Sequence, residues 1–185
     1  MRLVLHYRGP LKANGNPSEK HELRRIFHKQ LKKLWAQKPL VEIPVWIQPV
    51  KDPNTYHFLR SLGSYTFVPL VTAEVDAVAE LEITLLRPEP PGRLITQGGD
   101  IDNRLKTLFD ALSMPPQSNA LPLGAVPAED ELLFFCLLED DNLITSVSVR
   151  TEQLLEPVND SSLVDATIAV TTRVTRNMMD NDLFA

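Results

Sequence analysis

The chain is poor in the residues that staple or anchor a protein. A single cysteine, Cys136, stands in 185 residues, so no internal disulfide can form. It sits inside the apolar run "LLFFCLLE" and reads as a small core residue. No run of eighteen apolar residues occurs, which excludes a transmembrane helix by hydropathy and leaves no expected membrane partner. The opening "MRLVLHYRGP" has too short an apolar stretch for a signal peptide, and a cytoplasmic location is expected. The four histidines, His6, His21, His28 and His57, show neither metal-ligand nor triad spacing. His21 and His28 are expected on or beside a basic helix face, and Ser146 and Ser148 on a strand surface rather than as nucleophiles. No internal repeat is visible.

What is present suits one globular domain. Hydrophobic residues make up 43% and charged residues 23%, ordinary values for a chain with a real core. The net charge of −5 argues weakly against a nucleic-acid partner, but its distribution reverses that reading. Residues 1–38 hold ten Lys/Arg and two Glu, about +8, and the remaining 147 hold nine Lys/Arg and twenty-two Asp/Glu, about −13. A basic end and an acidic remainder suit a protein that grips a polyanion with one surface and a metal ion with another.

Local signals give an element order. Residues 2–7 read as a strand, closed by Gly9-Pro10. Asn16, Pro17 and Glu19 form a helix start with capping-box spacing, and Pro39 marks the stop. Leu23, Ile26, Phe27, Leu31, Leu34 and Trp35 recur at helical spacing as its inward face. Arg25, Lys29, Lys32 and Lys33 lie largely on another face, flanked by Lys20 and Arg24. Residues 40–65 suit an edge strand or extended loop, and Trp35 and Trp46 read as packing residues ahead of base stacking. Residues 66–73 and 77–87 read as strands, the second alternating Ala79, Leu81, Ile83, Leu85 with Glu80, Glu82, Thr84. A helix is expected at about 101–113, a Pro-rich insertion at about 113–130, and strands at 143–151 and 163–174. Residues 131–138 are equally compatible with helix and buried strand. The expected fold is α+β, a mixed β-sheet packed by helices in one domain over residues 1–176, with a mobile tail at 177–185.

The chemistry concentrates in "GGDIDNRLKTLFDAL" (98–112) and "EDDN" (139–142). Asp100 and Asp102 open a helix whose apolar face is Leu105, Leu108, Phe109 and Leu112. Either aspartate alone is explained by capping and the helix dipole. Asp102, Lys106 and Asp110 follow at i,i+4 steps, so ion pairing also accounts for them. Asp140 and Asp141 precede a strand, where no capping role is expected and β propensity is low. Converging carboxylates repel unless a cation separates them, and an oxygen-only donor set selects Mg²⁺ or Mn²⁺. Such sites hydrolyse phosphodiesters, with a nearby lysine stabilising the charge that develops.

"GDIDNRLKTLFDAL" followed by "EDDNLI" resembles the RusA-type Holliday junction resolvases, whose signature is Asp-x-Asp-Asn-x-x-Lys-x-x-x-Asp-Ala-Leu and a later Asp-Asp before a strand. The match covers about twenty residues. The resemblance implies a RusA-like single domain and a Mg²⁺-dependent (Mn²⁺ substituting) endodeoxyribonuclease that resolves four-way junctions in DNA recombination and repair, acting as a homodimer. It makes Asp100, Asp102 and Asp141 the metal-binding carboxylates and Lys106 the lysine beside the scissile phosphate. Asn103, Asp110 and Asp140 become supporting residues. DNA contacts are expected from Arg24, Arg25, Lys29, Lys32 and Lys33 of the first helix, reinforced by Arg104. Two other readings stand beside it: a junction-binding module of the same fold with weak chemistry, and a nucleotidyltransferase, in which Asp-x-Asp would lie on a strand.

Overall fold

The computed structural model describes residues 1–49, 57–90 and 101–176. Its elements run β1 (Arg2–Pro10), α1 (Pro17–Trp35), β2 (Arg60–Leu62), β3 (Tyr65–Val71), β4 (Ala77–Arg87), α2 (Ile101–Leu112), β5 (Phe134–Leu138), β6 (Ile144–Gln153) and β7 (Leu163–Val174). The α+β class expected from the sequence is the observed one. The strands form two mixed sheets rather than one: β1-β7-β4-β6 and β2-β3-β5.

The four-stranded sheet follows the alternation written into β4. Ala77, Ala79, Leu81, Ile83 and Leu85 are buried, and Val164, Ala166, Ile168 and Val170 of β7 join them on the same inner side. β7 pairs antiparallel with both β1 and β4, and β6 adds to β4 in parallel. In the smaller sheet β2 and β3 pair antiparallel, and β3 and β5 run parallel.

β5 resolves the ambiguous segment as a strand. All five of its residues are buried. Phe135 and Leu137 enter the main core, whereas Phe134 and Cys136 face a second cluster with Tyr65, Phe67 and Leu121. A strand covered on both faces shows no alternation, which is why its sequence carries no readable period. The Pro-rich insertion supplies Leu121 to that second cluster and makes short 3-10 turns at Ser118–Ala120 and Glu129–Glu131. Leu40–Ile47 differs from the expected edge strand or extended loop, with 3-10 turns at Leu40–Glu42 and Pro44–Ile47, whereas Arg60–Leu62 is an edge strand. There Trp46 packs on Phe58 with ring centroids 5.1 Å apart, and Trp35 meets Phe58 edge-on at 5.8 Å. The expected tail at 177–185 lies outside the described residues.

α1 starts as its sequence dictates. The Asn16 side chain accepts from the Glu19 amide at 3.0 Å, and Glu19 accepts from the Asn16 amide at 2.9 Å. The loop before it is pinned to α2, because the Gly15 amide donates to Thr107 Oγ1 at 2.9 Å. A Cβ on Gly15 would lie 2.7 Å from the Thr107 methyl, so only glycine permits this approach. Among the described residues no helix is long and apolar enough to cross a membrane.

Candidate functional site

α2 turns its apolar stripe inward and leaves Asp102 and Lys106 exposed, with Asp110 half-buried. Steps of four residues put these three on one face of the helix. Asp102 Oδ1 accepts from the Asn103 amide at 2.7 Å, and Asp102 stands in the first turn, where a carboxylate complements the helix dipole. It therefore lies on a helix, not on the strand a nucleotidyltransferase would require. Asp100, the other half of the Asp-x-Asp pair, lies outside the described residues.

The "EDDN" segment is a 3-10 turn, Asp141–Leu143, between β5 and β6. Asp140 caps it, accepting from the Asn142 amide at 2.9 Å. The expectation that an acidic pair here has no capping role is thus corrected for Asp140, because a helical turn intervenes before the strand. Glu139 fixes the turn from behind. It takes Arg60 Nε at 2.6 Å and also accepts from the Thr72 hydroxyl, and its amide donates to Val71 O at 2.9 Å. The Arg60 guanidinium, held also by Glu74 at 2.9 Å, keeps the Glu139 carboxyl below the usual range against the opposing effect of burial. Neither Arg60 nor Glu139 is identifiable as a positioning residue from sequence, since their partners lie far along the chain.

Asp140 and Asp141 share a depression of about 270 Å³ with Lys20, Arg24, Asp110, Ser113, Met114, Pro116 and Ala120. Burial raises the Asp141 pKa, and the charges of Asp140 and Asp110 raise it further. Lys20 Nζ lies 2.7 Å from Asp110 Oδ2. The structure thus brings Asp141 together with Asp110 and Asp140, for which the resemblance implies supporting roles, and adds Lys20, which helical spacing marks only as a flank of the basic face. Asp102, Lys106 and Asn103 do not line the depression. Among the described residues no three Asp, Glu, His or Cys side chains are grouped closely enough to hold a metal ion.

The basic stripe of α1 is not the open surface expected. Arg24 is 2% exposed, and its Nε and Nη2 donate to Ser113 O and Asp110 O at 2.9 and 2.6 Å, serving the C-terminal carbonyls of α2. Burial pulls its pKa down to about 10, still charged at neutral pH. Arg104 is buried at the base of α2, where burial and the neighbouring Arg87 charge lower its pKa. Neither presents a DNA-facing guanidinium. Arg25 Nε pairs with Glu131 Oε1 at 2.8 Å, and Lys32 Nζ donates to Asp130 O at 2.6 Å. The acidic segment Glu129–Glu131 therefore covers part of the stripe, and Lys29 and Lys33 remain exposed beside it.

His21 and His28 are buried, not on the basic face. Their rings stack on Phe134 at centroid distances of 5.6 and 4.6 Å. His28 Nδ1 accepts from the Phe135 amide at 2.9 Å, so Nε2 carries the proton toward Asp130 O at 3.3 Å. Burial lowers both pKa values, that of His21 to about 4 with help from Arg24 and Arg25. The phase of α1 holds the signal, since positions 21, 24, 28, 31 and 35 form one a/d stripe.

Comparison of the chain with protein-family models, with curated proteins and with solved structures finds no match in any of the three.

Proposed function

We propose that the chain is a Mg²⁺-dependent, structure-selective endodeoxyribonuclease of the RusA type that cleaves four-way DNA junctions as a homodimer. One observation carries the reading: the Asp140–Asp141 turn shares a depression with the Asp110 end of the Asp102–Lys106–Asp110 stripe, and Asp141 is held there against the repulsion of Asp140 and Asp110. A cation entering beside Asp141 would relieve the repulsion from Asp140 and Asp110 that adds to the effect of its burial. The donors are all oxygen, which fits Mg²⁺ or Mn²⁺. The resemblance assigns the ion to Asp100, Asp102 and Asp141, with Asp110 and Asp140 supporting; of these, Asp102 stands outside the depression and Asp100 outside the described residues. When bound, the ion supplies Lewis-acid polarisation of a phosphoryl oxygen and a more acidic water. Lys106, exposed one turn beyond Asp102, is available to the scissile phosphate, and Lys29 and Lys33 to flanking phosphates.

The test is cleavage of a synthetic four-way junction with Mg²⁺ by the wild type, Asp102→Asn and Asp141→Asn. Nicking by the wild type alone supports the reading, and an intact junction with all three under conditions where a known resolvase cuts removes it. A second reading, a junction-binding module with weak chemistry, is favoured by the Lys20–Asp110 ion pair, which already neutralises one carboxylate. A gel shift that persists in EDTA, without metal-supported nicking, would select it.

A further inference from the structure

Among the described residues, β6 is the one long strand whose outer edge is left open. The outer edge of β1 is capped by Gln30 of α1, whose side chain accepts from the His6 amide at 2.9 Å and donates to His6 O at 2.7 Å. The free edge of β5 takes the Met114 amide on Leu138 O at 2.9 Å and a bridge from Ser113, and β2 is three residues long. β6 runs ten residues at the end of its sheet and pairs with β4 alone. Its sequence ITSVSVRTEQ holds no proline or lysine, the residues that ordinarily blunt such an edge.

The phase of β6 decides what that edge presents. The Leu154 amide donates to Arg87 O, so even-numbered residues turn their backbone groups toward β4. Val147, Val149, Thr151 and Gln153 therefore offer amides and carbonyls outward, and nothing among the described residues meets them. Val147 is 43% exposed, and Leu155, just past the strand, is 85% exposed. Arg150 and Glu152 are exposed on the opposite face of the sheet, without an ion-pair partner among the described residues.

These features complement themselves in one register. When two β6 strands lie antiparallel and centred on Thr151, Arg150 faces Glu152 of the second copy, and Val147 faces Leu155 of the second copy. The two-fold repeats each contact, giving two opposite-charge pairs on one face and two apolar contacts on the other. Thr151 then stands opposite itself as a hydrogen-bonded pair, with its outward amide and carbonyl both satisfied. Registers centred on Arg150 or Glu152 set like charges face to face, and one centred on Val149 sets Arg150 against Ser148.

We propose that β6 is the interface between two copies of this chain: the strands pair antiparallel about Thr151 and join two four-stranded sheets into one of eight strands. The interface rests on the endonuclease reading for the homodimer alone, not for the metal chemistry.

The experiment is sedimentation equilibrium of the full chain, comparing the wild type with Thr151→Pro, Arg150→Glu, Glu152→Arg and the double exchange. The wild type is expected to dimerise. Thr151→Pro removes an amide used only between copies, at an edge position where the monomer tolerates proline, and is expected to be monomeric. Each single reversal sets two like-charge pairs face to face and is expected to weaken dimerisation on the order of tenfold. The double exchange restores opposite charges in this register and is expected to dimerise nearly as the wild type does. A monomeric wild type, or a dimer that Thr151→Pro or the reversals leave intact, overturns the proposal. A double exchange that dimerises no better than the single reversals overturns it too. Junction cleavage measured on the same samples separates the two readings. Nicking by a wild type that is monomeric, or that dimerises through another face, overturns the interface and spares the metal chemistry. A β6-dependent dimer that leaves the junction intact overturns the endonuclease reading and spares the interface. Should Thr151→Pro fail to fold by circular dichroism, the charge exchange decides under the same criteria.

Discussion

Lys20 of α1 and Asp110 of α2 meet at 2.7 Å across the seam between the two helices. Ninety residues separate them in the chain, and each is one turn from a residue buried in the helix packing. The pair marks where the basic and acidic portions of the sequence come together. Beyond it lie Asp140 and Asp141, so a basic helix and an acidic turn confront each other around one depression.

Asp141→Asn is expected to leave thermal stability unchanged or raise it at pH 7, while abolishing any metal-supported cleavage. The folded-state pKa of Asp141 lies above its ordinary value, through burial and then Asp140 and Asp110, so its ionised form is a burden on the fold above that pKa. Removing the charge removes the burden. A clear fall in the thermal midpoint by calorimetry would contradict this.

Acid should destabilise the fold through the histidines. His21 and His28 are held neutral by burial, with folded pKa values below the unfolded value. Their contribution is complete above about pH 6.5 and declines as pH falls toward about 4, where His21 protonates in the folded state. For His21 the loss is about 3 kcal/mol at most. Urea unfolding at pH 7.5 and 4.5 measures it, and His21→Phe should flatten the dependence. An equal slope in that variant would exclude His21 as a cause.

Gly15→Ala is expected to cost about 1–3 kcal/mol, because the added methyl meets Thr107 at 2.7 Å and both sides of that approach are packed. Thr107→Ser removes the methyl and keeps the hydroxyl that accepts from Gly15, so combining the two changes should recover part of the loss. Simple additivity of the two substitutions would disprove the clash.

Any DNA affinity of the two helices should come from Lys29 and Lys33 of α1 rather than from the buried Arg24 of α1 or Arg104 of α2. Replacing both lysines by alanine is expected to lower the salt slope of junction binding by about 2, since each phosphate left without its cation removes about 0.9. Glu129→Gln with Asp130→Asn should strengthen low-salt binding, since that segment lies against the basic face. An unchanged slope would direct the search for the DNA surface elsewhere.

Cys136 should resist thiol reagents in the native protein and react fully on denaturation. It is buried in the second core cluster, and burial pushes its pKa up to about 12. Rapid labelling of the folded chain would show that β5 opens readily.

Much of the fold is legible in the sequence because the signals are local. The Asn16–Glu19 capping box acts within one turn, and the alternation of β4 follows from the two-residue period of a strand with one face buried. The 3.6-residue period likewise places α2 and its inward leucines. β5 is not legible, because β3 beside it and apolar clusters on both faces erase any period. Arg24 misleads for a related reason. A charged residue is expected outward, but the phase of α1 carries this one into the seam, where the free carbonyls of α2 accept it.

The sequence by itself determined the places of β1, α1, β4, α2, β6 and β7, the capped start of α1 and the presence of carboxylates at Asp102, Asp110, Asp140 and Asp141, because backbone geometry and side-chain type are local properties. Tertiary structure alone decided which of these carboxylates meet. Asp110, not Asp102, lines the depression with Asp141, and Lys20 joins them because α1 packs beside α2. Pairing across ninety residues depends on how two helices seat on a sheet, and no short-range pattern encodes it.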